Sequence, residues 1–206
     1  MRALDIETIP NPEMIDRLPE PKPKYGNTKD PAKRAVIDAD AKTAQIAGMG
    51  LNPLYGKVCA VAIHGEDYSQ SICTEDELGM VAWAFENMGS RICTWNGNSF
   101  DMPFLYKRAM ILKVPVPCAM GKWTKRYYCD MHCDLMEIFA SWNPGSRESL
   151  DAVAHAVLGI KKPEYDYKLF PEMMMTVDGR AKIANDCLAH TELTYKLYET
   201  MVGYLI

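Results

Sequence analysis

No stretch of this 206-residue chain approaches the ~20 consecutive apolar residues that a membrane-spanning helix needs. The opening MRALDIET places acids at positions 5 and 7, which interrupts any apolar signal core. The expectation is a soluble, cytoplasmic protein with no membrane partner. A surplus of positive charge is also missing: 23 basic residues face 27 acidic ones, for a net charge of −4. Affinity for a polyanion would therefore have to come from a local basic patch or from bound cations. A paired cysteine framework is absent too, because seven cysteines is an odd count without a secretion signal. No internal repeat is visible. Hydrophobic residues at 48% and charged residues at 24% are ordinary for a globular protein, and the length suits one domain carrying an insertion.

The punctuation of the chain sets its organisation. Residues 2–6 read as a short strand. Prolines at 10, 12, 19, 21 and 23 then exclude regular helix or a central strand up to Lys24. An Ala- and Lys-rich helix is expected from Asp30 to about Gly48. Residues 8–56 are thus a long excursion between strands, with a Pro/Lys-rich insertion at about 10–50. Val58–His64 and Tyr68–Cys73 read as a hairpin about Gly65-Glu66-Asp67. Thr74 looks like the N-cap of a helix ending near Met88. Arg91–Trp95 reads as another strand, followed by a helix over Asp101–Leu112. Further helices are expected at 134–141, at 149–157 between a Ser149 cap and the Gly159 terminator, and at 181–203. Strands first and helices after predict an α/β fold with a mixed sheet flanked by helices.

Asp5 and Glu7 stand at i and i+2 of the first strand, so period-2 geometry sends both carboxylates to one face. Adjacent carboxylates repel unless a cation lies between them, and hard divalent ions such as Mg²⁺ or Mn²⁺ take oxygen ligands of this kind. The bland alternative is a pair of solvated acids at a strand edge. Asp101 follows an Asn-Gly-Asn break at the C-terminal end of a strand, the edge where ligands gather in open α/β sheets. Alone, it would equally be an acid favouring the first turn of a helix.

Taken together, LDIET at 4–8 and WNGNSFDMPFL at 95–105 resemble two motifs of the DEDD (DnaQ-like) superfamily of 3′–5′ exonucleases, which have an RNase H-like fold. The likeness is nearest to the exonuclease domain of B-family DNA polymerases and its stand-alone relatives. NPLYGKVCAVAI at 52–63, CDLMEIFA at 133–140 and SLDAVAHAVLGI at 149–160 are similar to the same branch. The resemblance implies hydrolysis of phosphodiester bonds at a 3′ end with two divalent ions, Mn²⁺ or Mg²⁺. Asp5 and Glu7 would hold one ion, and Asp5 with Asp101 the other. The main chain near Thr8 would meet the terminal nucleotide, with Asn98 and Phe100 seating the strand. DNA with a single-stranded 3′ end is the expected substrate, RNA an alternative, and a replication or repair protein a potential partner; phage DNA metabolism fits equally.

The chain departs from the family on its last helix. The family carries its final metal-binding Asp there, with a Tyr four residues or a His five residues earlier. In IANDCLAHTELTYKLYE, residues 183–199, the register puts His190 in place of that Asp and Asp186 in place of the Tyr. These two are i and i+4 and share a helical face. One reading is an active site with His190 as a ligand and Asp186 as a ligand or water-orienting base; imidazole favours Mn²⁺ over Mg²⁺. The other is a degenerate site on a nucleic-acid-binding or protein-interaction module. In a third, His190 is a surface residue and Asp186 or Glu192 supplies the ligand.

GKWTKRYY at 121–128 mixes basic and aromatic residues, which suits an unpaired strand: Lys122, Lys125 and Arg126 for phosphates, Trp123 for stacking. It would equally serve as a solvated loop. Lys22, Lys24, Lys29, Lys33 and Arg34 make the long arm basic as well. Cys118, Cys129, His132 and Cys133 have a spacing unlike common zinc sites, and buried thiols are the expected reading. Asp134 is read as a helix cap, and His64 and His155 as packing residues.

Overall fold

A computed structural model describes residues 1–161 and 166–206. The chain divides into two compact units, one of Met1–Glu7 with Val58–Ile206 and the other of Thr8–Lys57. The larger is built on a five-stranded sheet in the order β3-β2-β1-β4-β5. The strands are β1 Arg2–Pro10, β2 Gly56–Gly65, β3 Tyr68–Ile72, β4 Ile92–Thr94 and β5 His132–Asp134. β2 and β3 form the expected antiparallel hairpin, with Gly65 opposite Tyr68. β4 runs parallel to β1, with Ala3 beside Cys93, and β5 parallel to β4, with Cys93 beside Cys133. Gly65, at the end of β2, lies so close to Met1 and Arg2 that a Cβ would stand 3.0 Å from the Met1 carbonyl oxygen. β2 therefore enters antiparallel to β1, and the sheet is mixed.

The alternation of β1 sorts the core into two layers. Leu4 and Ile6 point to one face, where they pack with Val61 and Ile63 under helices α2 (Glu77–Asn87) and α3 (Asp101–Leu112) through Met80, Phe85, Phe104 and Leu105. Ala3 points to the other face with Cys93 and Cys133. That face is covered by Val153 of α5 (Leu150–Leu158) and by Leu193, Leu197 and Met201 of the last helix. Asp5 and Glu7 share the parity of Ala3, so the same alternation that builds the core turns them toward the last helix.

Several expectations need adjusting. Helix α2 is capped by Asp76, whose carboxylate accepts from the Gly79 amide, instead of by Thr74. β5 lies where the sequence suggested only the run-up to a helix, because a three-residue strand between two partners carries no period of its own. After it come α4 (Leu135–Phe139), the short α6 (Phe170–Met173) and α7 (Val177–Met201). α7 starts four residues earlier than expected. Thr176 caps it, and Gly179 is required in its first turn because a Cβ there would stand 2.0 Å from the Met173 carbonyl oxygen. His155 is exposed instead of packed, and His64 meets Tyr195 edge to face at 5.3 Å.

In the smaller unit, Asn11 caps a short 3-10 turn, and its own amide donates to the Tyr55 carbonyl at 2.9 Å. Helix α1 (Pro31–Ala47), capped by Asp30, buries none of its residues. The Thr8 hydroxyl donates to the Gly50 carbonyl at 2.7 Å.

Candidate active site

Four acids and a histidine meet where β1, the start of α3 and the middle of α7 come together. β1 supplies Asp5 and Glu7. Helix α7 supplies Asp186 and His190, both buried. His190 Nδ1 lies 3.5 Å from Glu7 Oε1 and 3.7 Å from Asp5 Oδ2, while its Nε2 lies 3.3 Å from Asp186 Oδ1. The i, i+4 pair of α7 faces the acids of β1, whereas Glu192 joins no such group among the described residues. Candidate ligand atoms of Glu7, Asp186 and His190 lie within 4.8 Å of one another, as do those of Asp5, Glu7 and Cys187.

Asp101 is buried in the first turn of α3 and belongs to neither group. Its Oδ1 accepts the Ile6 amide at 3.2 Å, which fixes it against β1 between the two acids of that strand. Burial pushes the Asp101 carboxyl well above the usual range, and the charge on Asp5 adds to this. Glu7 is pushed up to about 7, first by burial, against the lowering effect of its hydrogen bond to His190, and further by Asp5. Carboxylates crowded in this way stay ionised together only if positive charge joins them. An oxygen-rich set with one imidazole fits a divalent cation such as Mn²⁺. Cys187 is held as a thiol by burial and by Asp5 and Glu7. Its Sγ donates to Asp5, 3.5 Å from the main-chain oxygen and 3.7 Å from Oδ2, so it orients that carboxylate.

The turn before α3 is fixed from β4 and β5. Asp134 accepts the amides of Asn96 at 3.1 Å and Asn98 at 2.9 Å, besides capping α4 through the Glu137 amide at 3.4 Å. Thr94 Oγ1 accepts the Gly97 amide at 3.0 Å and lies 2.7 Å from His132 Nε2. His132 Nδ1 faces the Trp123 carbonyl at 2.7 Å. A carbonyl only accepts, so Nδ1 donates, Nε2 takes the Thr94 hydroxyl proton, and the ring is neutral. Burial agrees, lowering the His132 pKa to about 4.

The expected substrate residues are dispersed. Asn98 stands on this turn, and its Oδ1 is buried with no hydrogen-bond partner among the described residues. Phe100 is half-buried, 5.5 Å from Phe104 between ring centroids. Lys122, Lys125 and Arg126 are exposed. Trp123 corrects the expectation: it is 3% exposed, packs in the core and donates from Nε1 to Cys118 Sγ at 3.1 Å, leaving no ring face for a base. Among the described residues no zinc group forms at Cys118, Cys129, His132 and Cys133. Tyr167 had no sequence signal. It is 47% exposed, packs edge to face on Phe170 at 5.3 Å, and the charges on Glu7, Asp186 and Asp5 hold its hydroxyl above the usual phenol range after burial does so first.

A mixed five-stranded sheet flanked by helices, with paired acids on its first strand, is the RNase H-like α/β architecture of the DnaQ-like nuclease class. Residues 61–198, more than half of the chain, match the family described as "Predicted 3'-5' exonuclease related to the exonuclease domain of PolB", and the chain belongs to that family. It is 28% identical over 160 residues to DNA polymerase 1 of Sulfolobus acidocaldarius, spanning 66% of this chain and 18% of that one. With the catalytic subunit of DNA polymerase epsilon from Emericella nidulans it shares 32% identity over 116 residues, 52% of this chain and 5% of that one. The chain thus spans less than a fifth of these relatives. The family B DNA polymerase of Pyrobaculum calidifontis superposes with a TM-score of 0.61 over 98% of this chain and 24% of its own, at 19% identity, a likeness of fold. Among the described residues no helix is long and apolar enough to cross a membrane.

Proposed function

We propose that this domain is a two-metal-dependent 3′–5′ exonuclease acting on a single-stranded 3′ end of DNA in replication, repair or phage DNA metabolism. The observation that carries the reading is the convergence of Asp5 and Glu7 with Asp186 and His190, within 3.7 Å of the His190 ring nitrogens. Asp5, Glu7, Asp101 and His190 would hold the ions. Two divalent cations in such a site supply activation of the attacking water and stabilisation of the leaving 3′ oxygen. Asp186 Oδ1 lies 3.3 Å from His190 Nε2, and Nδ1 faces the β1 acids. Asn98, Phe100 and the main chain at Thr8 would seat the terminal nucleotide, and Tyr167 is near enough for the charges of the same acids to raise its hydroxyl pKa. With an imidazole among the ligands, Mn²⁺ should support the reaction better than Mg²⁺.

One observation favours a second reading. The His190 ring already lies among Asp5, Glu7 and Asp186, and as an imidazolium it would offset their charge without any metal. The domain would then be a catalytically silent module that binds nucleic acid or a protein. Release of mononucleotide from a 3′-labelled single-stranded DNA separates the two. Release in Mn²⁺, absent in EDTA and in Asp5→Ala, supports the nuclease; an intact strand with every metal and a folded protein supports the silent module.

A further inference from the structure

Beside the Asn96–Asn98 turn lies a cleft of about 230 Å³ whose lining includes Asn98, Arg126, Trp142 and Arg147. Trp142 in its lining has a backbone conformation that side chains rarely adopt, with φ +59°, and so do its neighbour Ser141 at +51° and Tyr127, next to Arg126, at +63°. Bulky residues persist there only when their surroundings hold them. The Ser141 amide donates to the Ile138 carbonyl at 2.9 Å and the Trp142 amide to that of Glu137 at 2.7 Å. Arg126 Nη2 donates to the Trp142 carbonyl at 3.0 Å. The consecutive left-handed pair swings the chain back after α4 and sets the Trp142 ring against Tyr127, with centroids 5.1 Å apart at 60°. The Arg126 guanidinium lies 4.7 Å from the centre of the Tyr127 ring.

Each part has a use in holding a nucleotide. Aromatic faces stack on unpaired bases whatever their sequence, and guanidinium groups take phosphate. Arg147 is ion-paired with the buried Glu137, so it forms a fixed wall, and the exposed Arg126 is left to meet the phosphate. The Asn98 amide oxygen, buried with no partner among the described residues, can accept from a base edge. The volume falls below the roughly 300–1,000 Å³ of drug-sized pockets and suits one planar ring. Asn98 stands on the turn that leads into α3, whose first residue is Asp101, so one short segment carries both the cleft and one of the acids.

We propose that the cleft seats an unpaired nucleotide upstream of the one being removed, with its base on the Trp142 ring and its phosphate on Arg126. The proposal rests on the nuclease reading of the neighbouring acids. Its test is binding of fluorescein-labelled (dT)6 by anisotropy in EDTA, where cleavage is off. Trp142→Gly suits the positive φ, so the turn persists while the ring is lost. Binding should weaken roughly ten-fold or more, as loss of one base stack predicts. Trp142→Phe should retain most of the affinity. Arg126→Gln should weaken binding several-fold and flatten its dependence on salt. Trp142→Gly binding as wild type does, with an unchanged melting temperature, would overturn the proposal, as would absence of (dT)6 binding by wild type. A protein that binds (dT)6 through Trp142 yet releases no nucleotide in Mn²⁺ would keep the cleft and reject the nuclease. Cleavage with binding indifferent to Trp142 would do the reverse.

Discussion

Replacing Glu7 by Gln should stabilise the metal-free protein and cost it the benefit of metal. The Glu7 carboxyl is held at about 7 instead of 4.5, chiefly by burial and further by Asp5. A carboxyl raised in the folded state binds its proton more tightly there than in the unfolded chain. Its contribution to stability is full below about pH 4.5 and is lost as pH rises through about 7. At 1.36 kcal/mol per pKa unit, ionised Glu7 disfavours the metal-free fold by about 3 kcal/mol above that pH. Gln keeps the shape and a hydrogen-bonding oxygen for His190 but carries no charge. In EDTA at pH 8, Glu7→Gln should melt roughly 6–12 °C above wild type, at 2–4 °C per kcal/mol for a chain of this size. At pH 4.5 the difference should nearly vanish. With Mn²⁺ at a hundred times its dissociation constant, wild type should gain about 2.7 kcal/mol and the variant little. The gap of about 3 kcal/mol seen in EDTA should therefore nearly close in Mn²⁺. A variant less stable than wild type in EDTA at pH 8, or a difference that ignores pH, would refute the argument.

His132 should act in the opposite direction. Its pKa is lowered to about 4, so its contribution to stability is full above about 6.5 and is lost as pH falls through about 4, by about 3 kcal/mol. Because Glu7 and His132 oppose each other in wild type, urea titrations of His132→Gln against wild type at pH 4 and 7 isolate this effect; an equal difference at both would contradict it. Gly97→Ala would place a Cβ 2.2 Å from Thr94 Oγ1, pushing aside the hydroxyl that links Gly97 to His132. It should lower stability by about 1–3 kcal/mol and reduce nuclease activity more than ten-fold, read by melting and by digestion rate. His190→Asp should turn the metal preference from Mn²⁺ toward Mg²⁺, measured as the ratio of digestion rates in the two ions.

The parts of the site that depend on local geometry were legible in the sequence. Period 2 put Asp5 and Glu7 on one face, the Asn-Gly-Asn break put Asp101 at the head of a helix, and i, i+4 spacing put Asp186 and His190 side by side. Asp5, Glu7, Asp186 and His190 come together as those rules suggest, and Asp101 lies beside them against the Ile6 amide. The parts that depend on contacts distant in sequence were not legible. Trp123 looked like a stacking ring because it sits among lysines, but Cys118 and the core claim it. Asp134 was readable as a cap, yet its grip on the Asn96 and Asn98 amides spans 38 and 36 residues. Tyr167 and Trp142 lie in segments without periodicity, and β5 is too short to declare itself. His155, in a run that looked apolar, falls on the outer side of α5.

The central claim is that the acids of β1 and α3, with the Asp186–His190 pair of α7, form a metal-dependent centre that shortens a strand from its 3′ end. Its most direct test is digestion of a 5′-labelled single-stranded DNA in Mn²⁺, Mg²⁺ and EDTA by wild type, Asp5→Ala and Asp101→Asn. The account predicts a ladder retreating from the 3′ end with wild type, faster in Mn²⁺ than in Mg²⁺, and absent in EDTA and in both variants. Undigested strand in every metal with folded wild type, or a ladder that survives Asp5→Ala, would contradict it.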